Sequence, residues 1–177
     1  MIEIPADRFL VVCFRLGMKI IIKNNMGIVS VFMENDHAYL DRLWAVFLNE
    51  RKNLARSSGR LARFKRRLKL HVRLEDEFLF PRLTDYCGLD KNTGLTGMAR
   101  RDHAVILKLL GLVEKAYRDR RFEKVMLAGG NLDRALKKHR NREGAIQYPV
   151  SDRFIHRSEW RRMLIKVYGR AINQKMI

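Results

Sequence analysis

Apolar positions along the chain follow two different rhythms. Up to residue 32 they come as β-branched runs. Ile20-Ile21-Ile22 and Ile28-Val29-Ser30-Val31-Phe32 flank Lys23-Asn24-Asn25-Met26-Gly27, a pattern that reads as an arm or a hairpin over residues 1–32. Met18, Met26 and Met33 are each a candidate start, so an over-long start is a third reading of this stretch. From Glu34 the spacing changes to three and four. Leu40, Trp44, Phe47 and Arg51 predict a first helix, with Asn35 or Asp36 as its cap. Ser57-Ser58-Gly59 marks a break. Phe64, Leu68, His71, Glu75 and Phe78 predict a second helix, with Pro81 near its end. Residues 86–94 form the clearest loop. Ala99, His103, Ile106, Leu110, Val113 and Tyr117 mark a third helix, and the charged run 118–121 the next turn. Leu132, Leu136, His139, Glu143 and Ile146 mark a fourth. It is expected to end before Tyr148-Pro149, because a residue preceding proline avoids the α region. A last amphipathic segment, about 151–174, carries Phe154, Ile155, Trp160, Met163, Leu164, Val167 and Tyr168. Four helices joined by short connections predict an all-α fold. We expect an antiparallel up-down four-helix bundle over residues 33–150, between the N-terminal arm and an extra C-terminal helix within 151–177.

Composition narrows the class. The 177 residues are 47% apolar and 32% charged, which suits one globular domain. Two cysteines, Cys13 and Cys87, build neither a disulfide framework nor a four-cysteine zinc site. The most apolar stretch, residues 9–32, is broken by Arg15, Lys19 and Lys23 and is no membrane span. The acidic start, with no small-residue cleavage pattern after it, predicts a cytoplasmic location. Net charge is +18, which points to an anionic partner, nucleic acid first. Residues 51–73 concentrate it in Arg51, Lys52, Arg56, Arg60, Arg63, Lys65, Arg66, Arg67, Lys69 and Arg73, without an acid. That run is either a solvated helix face or a phosphate-contacting surface. No stacking-aromatic motif or zinc finger accompanies it. A basic nucleic-acid- or anion-binding helical module is therefore the rival reading.

The scarce histidines carry more information than the many basic residues. His37, His71, His103 and His139 are separated by 34, 32 and 36 residues. Residues at one height of an antiparallel helix pair lie equally far from the intervening turn. The midpoints fall near Leu54, on Cys87 and on Arg121, close to or within the predicted breaks. One histidine from each of four helices then meets at one level. His71 and His139 also carry a glutamate four residues on, Glu75 and Glu143, on the same face one turn away. Buried carboxylates are costly unless neutralised or bound to a cation. Two of them with four imidazoles in one layer fit a di-metal centre in a bundle core. Mixed imidazole and carboxylate ligands suit iron, with manganese or zinc as competitors. His156 has no such partner and reads as an ordinary helix residue. Trp44, Phe78, Leu107 and Ile146 are candidates for an apolar wall around the site, or ordinary core.

These segments resemble a known family. Asn35-Asp36-His37-Ala38-Tyr39-Leu40-Asp41 resembles the first-helix motif of the hemerythrin-like, HHE cation-binding family. His71-Val72-Arg73-Leu74-Glu75-Asp76-Glu77-Phe78-Leu79-Phe80-Pro81 resembles its second motif, Asp102-His103 its third, and His139-Arg140-Asn141-Arg142-Glu143 with Tyr148-Pro149 its fourth. The resemblance covers about residues 34–150. It implies two non-haem irons, with His37, His71, His103 and His139 as terminal ligands and Glu75 and Glu143 as bridges. It further implies binding or sensing of a diatomic, oxygen or nitric oxide, or iron handling. Animal oxygen-carrying hemerythrins place a fifth histidine where this chain has Leu107. The four-histidine, two-glutamate set looks more like the bacterial branch that includes di-iron proteins of iron–sulfur cluster repair. Those usually carry an N-terminal cysteine-motif domain, whereas Cys13 stands alone.

Overall fold

A computed structural model describes residues 10–13, 19–22, 27–88, 90 and 92–169. Strands β1 (Leu10–Cys13) and β2 (Lys19–Ile22) pair antiparallel, Leu10 opposite Ile22 and Cys13 opposite Lys19. Every other element among the described residues is helical. These are α1 (Ile28–Glu50), α2 (Leu54–Leu74), α3 (Phe80–Cys87), α4 (Gly94–Arg118), α5 (Phe122–Arg142), α6 (Tyr148–Ser151) and α7 (Arg157–Tyr168). Two π-helical turns, Glu75–Leu79 and Glu143–Gln147, join α2 to α3 and α5 to α6. None of these helices is long and apolar enough to cross a membrane.

The N-terminal expectation needs correcting. Ile20-Ile21-Ile22 does lie in a strand, but its partner is Leu10–Cys13, and the run from Ile28 to Phe32 opens α1 instead. Burial decides this. Val29, Phe32 and Met33 fall on one helical face and pack with Trp160, Leu164 and Leu79. Such tertiary packing overrides the β preference of Ile and Val. The rest of the predicted arm, with the candidate starts Met18 and Met26, lies outside the described residues, as do residues 170–174 of the predicted final segment.

A residue far along the chain secures the start of α1. Asp152 Oδ1 accepts from the Val29 N–H at 2.7 Å, and Ser30 Oγ donates to Oδ2 at 2.5 Å. The aspartate thus satisfies orphan donors of the first turn and complements its positive end. Only glycine leaves room for this at position 27, where an added Cβ would lie 2.1 Å from Asp152 Cγ. Asp152→Ala is expected to cost about 1 kcal/mol, read as a fall of about 3 °C in Tm by circular dichroism.

The predicted helix ends at the two prolines are also corrected. Both helical segments run on, through a π turn in which the Phe80 N–H reaches the Glu75 carbonyl and the Tyr148 N–H reaches that of Glu143. Pro81 and Pro149 then sit in the first turn of α3 and α6, where a missing N–H costs least. Gly88, at φ 62°, closes α3.

Two apolar clusters sandwich a polar layer. One holds Leu40, Trp44, Phe47, Phe64, Leu68, Ile106, Leu110 and Leu136. The other holds Phe32, Met33, Leu74, Leu79, Phe80, Tyr148 and Trp160. Polar contacts tie the long helices in a ring: Arg60 to Glu50, Lys65 to Glu114, Arg142 to Asp102 and Arg140 to Asp41.

Candidate metal centre

All six residues selected from the sequence meet in the layer between the clusters, each no more than 8% exposed. His37 comes from α1, His71 from α2, His103 from α4 and His139 from α5, while Glu75 and Glu143 each open a π turn. The imidazoles face each other in two pairs. His37 Nε2 lies 3.2 Å from His71 Nε2, and His103 Nε2 lies 3.0 Å from His139 Nε2. Glu75 stands between the pairs, its Oε2 3.2 Å from His71 Nε2 and 3.1 Å from His103 Nε2. Glu143 does the same, with Oε1 3.1 Å from His139 Nε2 and Oε2 3.8 Å from His37 Nε2.

Outer carboxylates orient two of the rings. Asp36 Oδ2 lies 2.8 Å from His71 Nδ1 and Asp76 Oδ1 2.9 Å from His103 Nδ1, whereas Asp102 Oδ2, 3.6 Å from His139 Nδ1, is too far for a hydrogen bond. An imidazole that donates Nδ1–H to a carboxylate keeps a lone pair on Nε2, the atom aimed into the centre. Arg67 in turn pairs with Asp36, and Arg142 with Asp102. From α7, Tyr168 adds a hydroxyl 3.3 Å from Asp36 Oδ2.

The electrostatics of the metal-free chain are unequal. Burial opposes ionisation of Glu75, but His71 and His103 outweigh it and hold the carboxylate well below the usual range. Glu143 is pushed well above that range by burial and then by the charge of Glu75. Burial works against the charged form of His103, yet the neighbouring Asp76 and Glu75 carboxylates win and raise it to about 9. Burial lowers His139 to about 3, with the neighbouring imidazoles adding to the effect against the pull of Glu75. Burial and His71 likewise take His37 well below its ordinary value.

This donor set suits cations. Glu75 Oε2 and Glu143 Oε1 are buried without a hydrogen bond, although each faces an imidazole nitrogen. A buried acceptor left without a donor is expensive. Ligand atoms of His71, Glu75, His139 and Glu143 all lie within 4.8 Å of one another. Converging nitrogen and oxygen lone pairs with too few protons among them fit metal ions.

The family model described as the hemerythrin HHE cation binding domain matches residues 29–150. The chain belongs to this family. No curated protein and no solved structure matches it. The hemerythrin match starts at the second residue of α1 and ends within α6, so it encloses the whole cluster. Family membership and the buried His/Glu cluster together fit a metal-binding protein.

The proposed apolar wall of this hemerythrin domain is different from that expected. Ile146 is 45% exposed, Trp44 belongs to the core, and Phe78 and Leu107 are only partly buried. A small cavity of about 10 Å³ lies against the four imidazoles, and its aliphatic lining is Leu40, Leu68, Val72, Ile106 and Leu136. That is about the volume one water molecule needs. His156 stands apart, at the N-cap of α7.

Sequence reading places Tyr148 in the fourth motif and at a helix end but gives it no role at the site. It is fully buried, and its hydroxyl lies 2.6 Å from Glu75 Oε1 and 2.8 Å from Glu143 Oε2. The signal was available: His-x3-Glu-x4-aromatic-Pro occurs twice, at His71–Glu75–Phe80–Pro81 and at His139–Glu143–Tyr148–Pro149.

Proposed function

We propose that the protein is a non-haem di-iron protein that binds or senses a diatomic, oxygen or nitric oxide. One observation carries this: two facing imidazole pairs with a buried carboxylate reaching from one pair to the other. In this reading His37, His71, His103 and His139 are terminal ligands, and Glu75 and Glu143 bridge. The mixed nitrogen and oxygen set favours iron over manganese or zinc. When bound, the irons supply redox-active open positions for a small ligand. The chain's own groups do the rest. Asp36 and Asp76 keep the Nε2 lone pairs of His71 and His103 inward, the two glutamates offset the charge of neighbouring cations, and the aliphatic side chains line the adjacent cavity. A cavity of one-water size suits a diatomic better than traffic in hydrated iron.

The supporting scaffold, on this reading, is an antiparallel up-down bundle of α1, α2, α4 and α5 spanning residues 33–150, extended at its start by the first turn of α1. Contacts of α2 and its following π turn with α4 support it, since Ser57 meets Tyr117, Lys65 meets Glu114 and Glu75 meets His103. The basic run on α2 is partly committed to that scaffold. Arg60, Lys65, Arg67 and Arg73 pair with Glu50, Glu114, Asp36 and Glu77. This weakens the nucleic-acid reading.

Metal analysis of protein produced with iron tests the proposal. About two irons per chain are expected for a di-iron bundle site, with oxo-bridged ferric absorption that changes on reduction and exposure to oxygen or nitric oxide. A metal-free protein that binds DNA with a steep salt dependence would overturn it in favour of the basic module. His156→Ala should leave iron content unchanged; a loss would show that the ligand set is wrong.

A further inference from the structure

The two halves of the centre repeat each other. Asp36, His37, His71, Glu75, Asp76, Phe80 and Pro81 correspond in order to Asp102, His103, His139, Glu143, Gly144, Tyr148 and Pro149. Contacts repeat as well. Asp36 faces His71 and Asp102 faces His139. Phe80 stacks on His103 with ring centroids 5.8 Å apart, and Tyr148 packs on His37 at 5.9 Å. Both aromatic rings are fully buried. Phe80 therefore shows that this position needs a ring and no hydroxyl.

Tyr148 nevertheless carries one, at the centre of the cluster. Its oxygen lies 2.6 Å from Glu75 Oε1, 2.8 Å from Glu143 Oε2 and 3.4 Å from His37 Nε2. A phenol has one proton to donate and cannot serve three acceptors. Its oxygen instead stands among three atoms assigned above as ligands. We propose that Tyr148 is a seventh ligand, its phenol oxygen completing the cation site of the His37–His71 pair. This rests on the metal-centre reading of the preceding section.

The other departure from the repeat falls on the same side. Gly144 takes the place of Asp76, and among the described residues no carboxylate bonds His37 Nδ1. A Cβ added at Gly144 would meet nothing within 4 Å. An open cleft of about 460 Å³, lined by Glu34, Asp41, Arg140 and Gly144, reaches both His37 and Tyr148. On ligation the cation replaces the phenol proton, and this cleft leads that proton to solvent.

Resonance Raman spectroscopy of the iron-loaded, air-oxidised full chain tests the proposal. Ferric iron bound to a phenolate gives a visible charge-transfer band with enhanced tyrosinate ring modes. We expect these modes in the wild type and their complete loss, per bound iron, in Tyr148→Phe, with helicity kept, because Phe80 already packs without a hydroxyl. Tyr168→Phe, at another tyrosine near the cluster, should retain them. Iron-loaded wild type without tyrosinate modes overturns the ligand assignment and leaves the di-iron reading standing. Modes that survive in Tyr148→Phe, or vanish in Tyr168→Phe, overturn it too. A folded wild type that takes up no iron overturns both. Should Tyr148→Phe not fold, the wild-type and Tyr168→Phe spectra still decide, since absent modes in the first or lost modes in the second refute the assignment.

Discussion

Stripping metal from the purified protein is expected to lower its Tm by about 10 °C, and iron(II) added back should restore it. The metal-free centre holds Glu75 ionised against a neighbouring Glu143 that burial and Glu75 keep from ionising. It also leaves two carboxylate oxygens without hydrogen bonds at full burial. A cation that binds only the folded chain adds stability according to its concentration over Kd, about 4 kcal/mol at a thousandfold excess. In a chain of this length each kcal/mol moves Tm by about 2–4 °C, which gives roughly 8–16 °C. Ligation requires deprotonated imidazoles and carboxylates, so loading releases protons and the gain shrinks as pH falls. Calorimetry of the chelated and reloaded protein measures this. Identical transitions, with iron bound in one sample and absent from the other, would contradict a centre coupled to folding.

How legible the site was depended on whether helical counting stayed in phase. It does so from His37 to Glu143 for the six candidate residues, because each histidine lies within an α-helix and each glutamate directly follows one. Their one-level placement was therefore recoverable from spacing alone. Phase is lost just past each glutamate. A π turn holds an extra residue per turn, so the inward face moves from Phe78 and Ile146 to Leu79, Phe80, Gln147 and Tyr148. That one-residue slip is why counting by threes and fours puts Ile146 on the inward face, while Pro149 makes Tyr148 read as a helix end. At the other end, the β-branched run from Ile28 looked like a strand because its helical partners, Asp152 and Trp160, lie more than a hundred residues away. The outer carboxylates are half visible: Asp36 and Asp102 each precede a candidate histidine, yet each faces the histidine of the next long helix. Local sequence shows the dipeptide and hides that crossing.

Removing the ionised bridge should have the largest effect of any single substitution. Glu75→Ala is expected to abolish iron retention and to destabilise even the metal-free protein by about 3–5 kcal/mol, the usual cost of deleting one partner of a buried charge pair. Glu75 is fully buried and contacts His71, His103 and Tyr148 at once. Its loss leaves His103, raised to about 9 in part by that carboxylate, with Asp76 as its main counter-charge. Glu143→Ala should lose iron equally but cost the metal-free fold much less, because burial and the charge of Glu75 hold that carboxyl well above its ordinary range and it brings no stable charge to the layer. The two variants thus separate the roles. Equal iron loss with unequal metal-free stability, read by chemical denaturation of chelated samples, is the result expected of two bridges that differ only in the absence of cations. Stoichiometric iron in either variant would refute the bridging assignment. Equal destabilisation of both metal-free proteins would show that the two carboxylates share their charge evenly, contrary to the pull of His71 and His103 on Glu75 alone.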